Sequence, residues 1–193
     1  MVVTQKQLIL ALLLAASMLG GCGSNAQRAG DAQLASTTIQ PSLSELGLND
    51  ATPRTDVEAA VAPPLGWTPQ PTKTSGKHAH QIWLSPTSNT AYGVIRFSMP
   101  LPLGNETALW GFLREMKRSE GEARLISKQR DSDLKALRFV AEGGFYTVRA
   151  NIMTRGTRGW AVYAGTKRGQ PVVPDELELA ERARDHTTPG TAR

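Results

Sequence analysis

Apolar and polar positions fall into three regimes along the chain. Residues 8 to 18 are almost uninterruptedly apolar, whereas 23 to about 63 have no aromatic residue and no sustained apolar period. From Pro64 onward, short apolar runs alternate with turn residues, and every Trp, Tyr and Phe lies in this part. His78 to Leu84 and Thr90 to Phe97 predict two strands, joined through Ser85-Pro86-Thr87-Ser88-Asn89, whose residues suit a hairpin turn. Met99-Pro100-Leu101-Pro102 then ends the strand, since proline has no amide to donate to a ladder. Leu109, Phe112, Leu113 and Met116 share one face of a helix predicted from Glu106 to about Glu120, with Asn105 as its cap and Gly121 as its stop.

Four further strands are predicted at Ala123 to Arg130, Ala136 to Glu142, Phe145 to Met153 and Trp160 to Thr166. Their connections are Asp131-Ser132-Asp133, Gly143-Gly144 and residues 154 to 159, all suited to antiparallel turns. Tyr146, Val148, Ala150 and Ile152 alternate with Thr147, Arg149 and Asn151, so one face of that strand is buried and the other is wet or covered. Pro174, with Asp175 and Glu176 after it and Arg182 and Arg184 later, marks a final helix by the charge preference of helix ends. The order β, β, α, β-meander, α predicts an α+β domain with an antiparallel β-sheet flanked by helices. Trp67, Trp83, Trp110 and Trp160 are bulky enough to anchor a core within residues 64–186, leaving 187–193 as a flexible tail.

The first regime is an export signal. Lys6 supplies the positive start, the apolar run is too short to span a bilayer, and small residues precede Cys22. Leu19-Gly20-Gly21-Cys22 resembles the lipobox of bacterial lipoproteins, which implies cleavage after residue 21 and a diacylglyceryl group, with further acylation such as palmitate, on Cys22. Each buried methylene contributes about 0.8 kcal/mol, so several acyl chains hold a protein on a membrane almost permanently. Gly23, in place of Asp after the cysteine, resembles the pattern of lipoproteins sent to the outer rather than the inner membrane. Residues 22–63 then read as a lipidated cysteine and a flexible, disordered tether, rich in Ala, Ser, Thr, Gln, Asn and Pro. Leu43 and Leu46 at helical spacing predict at most a transient turn, interrupted by Gly47.

The chain has 193 residues, one cysteine and a formal net charge of +5. A lone cysteine excludes an internal disulfide and any multi-cysteine metal site. Taking away Lys6 with the leader, then Arg28 and Arg54 against Asp31, Glu45, Asp50, Asp56 and Glu58 in the tether, leaves +7 on the remainder. Arg149, Arg155, Arg158, Lys167 and Arg168 cluster around the last hairpins and suit lipid phosphates, anionic glycans or an acidic protein. Export removes the chain from nucleic acid. His78-Ala79-His80 has the only metal-like spacing, because strand residues two apart face the same way. Both imidazoles could meet one zinc or copper ion, with His186 or a carboxylate completing the shell. No Gly-x-Ser-x-Gly elbow occurs, and Glu120-Gly121-Glu122 places two carboxylates close in sequence but at a helix-to-strand junction, where solvation is expected, so no cofactor and no catalysis are expected.

The element order, opening at Pro64, Gly66 and Trp67, is similar to that of the PsbP-like superfamily. The resemblance rests on the order of elements over about residues 64 to 186 and transfers no site residue. It implies an accessory, assembly or binding role without catalysis. The expected partners are the membrane, through the anchor, and an envelope protein or an anionic envelope component. The other readings are a metal or small-ligand binder of the envelope and an atypical hydrolase.

Overall fold

A computed structural model describes residues 41–190 of the chain. The leader 1–21, Cys22 and the tether as far as residue 40 lie outside the described residues, as do 191–193.

The strands predicted after Pro64 form one antiparallel sheet. β3 (Thr68–Pro69), β5 (His78–Leu84), β6 (Thr90–Ser98), β10 (Arg158–Lys167), β9 (Tyr146–Arg155), β8 (Ala136–Gly143) and β7 (Ala123–Asp131) lie side by side in that order. β4 (Lys73–Ser75) also pairs with β5 and covers the rest of that edge. α1 (Asn105–Glu120) packs on one face of the sheet and α2 (Pro174–Asp185) on the other. Period-two alternation explains the division. Ile95, Phe97, Phe139, Val148, Ala150, Ile152 and Tyr163 face α1, while Trp83, Tyr92, Val94, Trp160 and Val162 face α2. The face of β9 that holds Arg149 and Asn151 is covered by α2. Asn151 is 1% exposed and donates to Asp185 at 3.2 Å.

α1 buries Leu109, Phe112, Leu113 and Met116, as its periodicity requires. Gly121 ends it in the left-handed conformation (φ 84°), where a Cβ would be strained. Asn105 is not its cap. Gly104 precedes the helix without a side-chain cap bond, and Asn105 instead donates to the Lys135 carbonyl at 2.9 Å and accepts from Thr154 at 3.0 Å. The amide of Asn105 finds better geometry in tying the helix start to the sheet.

The domain begins well before residue 64. Residues 41–63, expected to be tether, fold against the α2 face. Ser42 and Glu45 form a reciprocal capping box, with the Ser42 amide donating to the Glu45 carboxylate at 2.7 Å. Leu48 bridges to Pro64, and β1 (Thr52–Arg54) pairs with β2 (Ala59–Val61). Leu48, Val57, Ala59, Val61 and Ala62 are all buried in the cluster that contains Trp67, Trp83 and Trp160. The Trp160 indole donates to the Val57 carbonyl at 3.0 Å. Asp56 accepts from Arg54 at 2.8 Å and from Thr72 at 2.7 Å, pinning the segment beside β5. Of the expected tail, residues 187–189 are folded too, since β11 (Thr188–Pro189) pairs with β2 and the buried Thr187 hydroxyl meets that of Tyr92. β1, β2 and β11 therefore close one small sheet beside the second core.

Candidate functional site

Two features stand out around α1: a cavity beneath it and a basic face above it. The cavity measures about 70 Å³ and lies between the C-terminal half of α1 and strands β5, β6, β9 and β10. Phe112 and Met116 form its roof, and Ile95 and Val148 part of its floor. His80 and Tyr163 stand in its inner wall, where His80 Nε2 and the Tyr163 hydroxyl are 2.7 Å apart. The cross-strand register places Tyr163 directly opposite Gly93, over which its ring lies; a Cβ at 93 would collide with that ring.

Burial sets the electrostatics of this pair. It pushes His80 down to about 3 and Tyr163 well above the ordinary tyrosine range. Both groups are therefore neutral around pH 7 and poorly matched to general acid–base work, which is most effective with a pKa near the operating pH. Glu120 borders the cavity at the end of α1. Burial raises its carboxyl, and the hydrogen bonds it accepts from the Phe145 and Tyr146 amides, at 3.0 and 3.2 Å, partly offset this. A Cβ at Gly143 would strike that carboxylate, so the glycine pair of the β8–β9 turn is a seat for the helix end.

The outer face of α1 points away from the sheet. Trp110, Arg114 and Lys117 recur at i, i+4 and i+7 and form one exposed stripe. Trp110 is 58% exposed, so it is no core anchor, unlike Trp67, Trp83 and Trp160. Arg118, beside the stripe, reaches Glu115 at 3.4 Å; among the described residues Arg114 and Lys117 make no ion pair.

The residues singled out in the sequence are placed differently from expectation. His78 and His80 both lie on β5, but His80 turns into the core against Tyr163, and burial lowers His78 as well. His186 ends α2 on the opposite face, its Nδ1 2.9 Å from the Arg182 carbonyl, so the sheet separates it from the other two. No cluster of three or more His, Cys, Asp or Glu residues suited to a metal ion occurs among the described residues. The five cations do not form one patch. Arg158 begins β10 and Lys167 ends it, a separation of about 30 Å at strand rise. Arg149 pairs with Glu181 at 2.8 Å, Arg158 with Glu58 at 2.7 Å and Arg168 with Glu122 at 2.6 Å. Arg155 stands at the far end of β9, and Lys167 sits at the cavity mouth. Glu122 is engaged by Arg168 at 2.6 Å, and its charge adds to the burial that raises the Glu120 carboxyl. Cys22 lies outside the described residues.

The sequence reading places Trp110 among the core anchors and assigns Tyr163 no role. The helical period holds the signal for Trp110, because it falls about 110° around the helix from the centre of the face formed by Leu109, Phe112, Leu113 and Met116. Tyr163 had no such signal, since its role depends on the register that sets it against Gly93 and His80.

No protein-family model matches the chain, and no curated protein matches its sequence. Among solved structures, the solution structure of cyanobacterial PsbP (CyanoP) from Synechocystis sp. PCC 6803 is similar, with a TM-score of 0.53 and 14% identity. That match covers 81% of this chain and 96% of CyanoP. A crystal structure from Bacteroides thetaiotaomicron VPI-5482 aligns at a TM-score of 0.35 and 12% identity, over 68% of this chain and 46% of that one, and carries no argument. The likeness to CyanoP is one of fold: this chain carries a PsbP-like α+β domain, as its order of elements predicts.

Proposed function

We propose that this chain is a lipid-anchored accessory protein of a bacterial cell envelope, held on the membrane through Cys22, whose PsbP-like domain binds an acidic envelope protein and performs no catalysis. The observation that carries this reading is the outer face of α1, an exposed Trp110 set among Arg114 and Lys117. Tryptophan and arginine dominate the energetics of protein interfaces, because large flat side chains lose much water contact for little conformational entropy. Cations without intramolecular partners favour an acidic counterpart. The neutral His80–Tyr163 pair supports the non-catalytic half of the proposal, since it offers neither a charged acid nor a ready base at the cavity.

The test is crosslinking and affinity purification of the full lipidated chain from its own envelope, beside Cys22→Ala and a Trp110→Ala/Lys117→Glu variant. One stoichiometric protein, retained by the wild type and lost from both variants, is expected. Equal recovery from the charge-reversed variant would refute the role of α1, and no enriched protein would refute the accessory reading.

A further inference from the structure

The cavity beneath α1 is created by missing side chains on the sheet. Gly93 lets the Tyr163 ring lie across β6, so the ring leaves the space under the helix open. Gly165, two residues further along β10, contributes no side chain to the cavity wall. A Cβ there would come no closer than 3.6 Å to the Tyr163 ring, which is ordinary contact. A β-branched residue is the usual choice in such a central strand, yet the position is left empty.

The lining is graded from inside to outside. Ile95, Phe112, Met116 and Val148 make the interior apolar, and the His80–Tyr163 pair satisfies itself there without net charge. Ser88, Asn89 and Lys167 stand at the mouth. The Lys167 side chain makes no ion pair among the described residues, whereas Glu120, the other charged group at this cavity, is held by the Phe145 and Tyr146 amides. A cavity of about 150 Å³ is known to hold benzene, so about 70 Å³ takes the last few carbons of a molecule. Met116, unbranched and adaptable, can shift to follow their shape.

We infer that this cavity is a binding site for a small anionic amphiphile, with its hydrocarbon end beneath α1 and its anionic head at Lys167. The site is separate from the outer face of α1, and its occupancy does not depend on the partner proposed above. An anion cannot move further in, because the inner wall has no positive group to receive it.

Calorimetric titration of the full chain carrying Cys22→Ala, with octanoate, octanol and octylammonium as probes, tests the inference. Octanoate is expected to bind about tenfold more tightly than octylammonium, since Lys167 attracts one head and repels the other. Lys167→Gln should bring octanoate and octanol to similar affinities. Gly165→Val should weaken octanoate and octanol by about tenfold or more, because filling the cavity excludes the buried methylenes, while the melting temperature holds or rises. Should that variant fail to fold, Ala91→Val fills the same cavity from β6. Octanoate binding that survives a folded filling variant would overturn the inference. So would a wild type that binds none of the probes at millimolar concentration while Gly165→Val raises its melting temperature, for the cavity would then be a packing void only.

Discussion

A chain cut at Pro64, where aromatic residues begin, should lose most of its stability. Leu48, Val57 and Val61 are each 1% exposed or less, and all three disappear in that truncation. Burying one such side chain contributes about 1.5–3 kcal/mol, so their loss costs about 6 kcal/mol before Ala59 and Ala62 are counted. The truncation also uncovers part of Trp67, Trp83 and Trp160 and removes the Val57 carbonyl that receives the Trp160 indole. Small domains have only about 5–15 kcal/mol to lose. Urea unfolding of residues 23–193 and 64–193, followed by tryptophan fluorescence and circular dichroism, measures the difference. With a urea slope of about 1–3 kcal/mol per molar, the midpoint should fall by several molar or the cooperative transition should vanish. Equal midpoints and slopes for the two chains would refute the argument that residues 41–63 belong to the core.

Acid should loosen the same segment. The Arg54 hydrogen bond, with help from Thr72 and the Val57 amide, lowers the Asp56 carboxyl from 3.8 to about 2. Because the folded value is depressed, this contribution is complete above about pH 4 and is lost as pH falls through about 2. It amounts to about 1–2 kcal/mol once the partial exposure of Arg54 is allowed for. Asp56→Asn should therefore lower stability at pH 7 and flatten its fall between pH 4 and 2; an unchanged acid limb would contradict this. Gly93→Ala should cost about 1–3 kcal/mol, because the Tyr163 ring must shift away from His80, and thermal melts showing no loss would count against that packing. Arg158→Ala should change stability by less than about 1 kcal/mol in denaturant unfolding, since its pair with Glu58 is 59% exposed on the arginine side.

The parts legible in the sequence are those with a local period. β5 is legible because His78 to Leu84 sits between turn residues, and α1, which starts one residue earlier than expected, because four apolar residues recur at helical spacing before a glycine. Residues 41–63 look like a tether in sequence because their apolar residues are scattered and unaccompanied by aromatics. Their burial depends on Trp67, Trp83, Trp160 and α2, partners distant in sequence. The Ser42-x-x-Glu45 capping box was a local sign that structure begins there. The dispersal of the basic residues is illegible for a related reason: adjacency in sequence around two hairpins gives no account of strand length or of acidic partners such as Glu58, Glu122 and Glu181. The cavity was illegible because it arises where Gly93 and Gly165 fall in register with Tyr163, and single-chain spacing does not reveal that register.

Docking through the outer face of α1, as proposed, is tested by a photo-crosslinking amino acid at position 110 in the full lipidated chain, with a control at Glu178 on α2, and irradiation of intact envelopes. One abundant acidic protein is expected to crosslink from position 110 and to be absent from the control and from a variant with Lys117→Glu. Irradiation that yields the same products from both positions, or none from position 110, would contradict it.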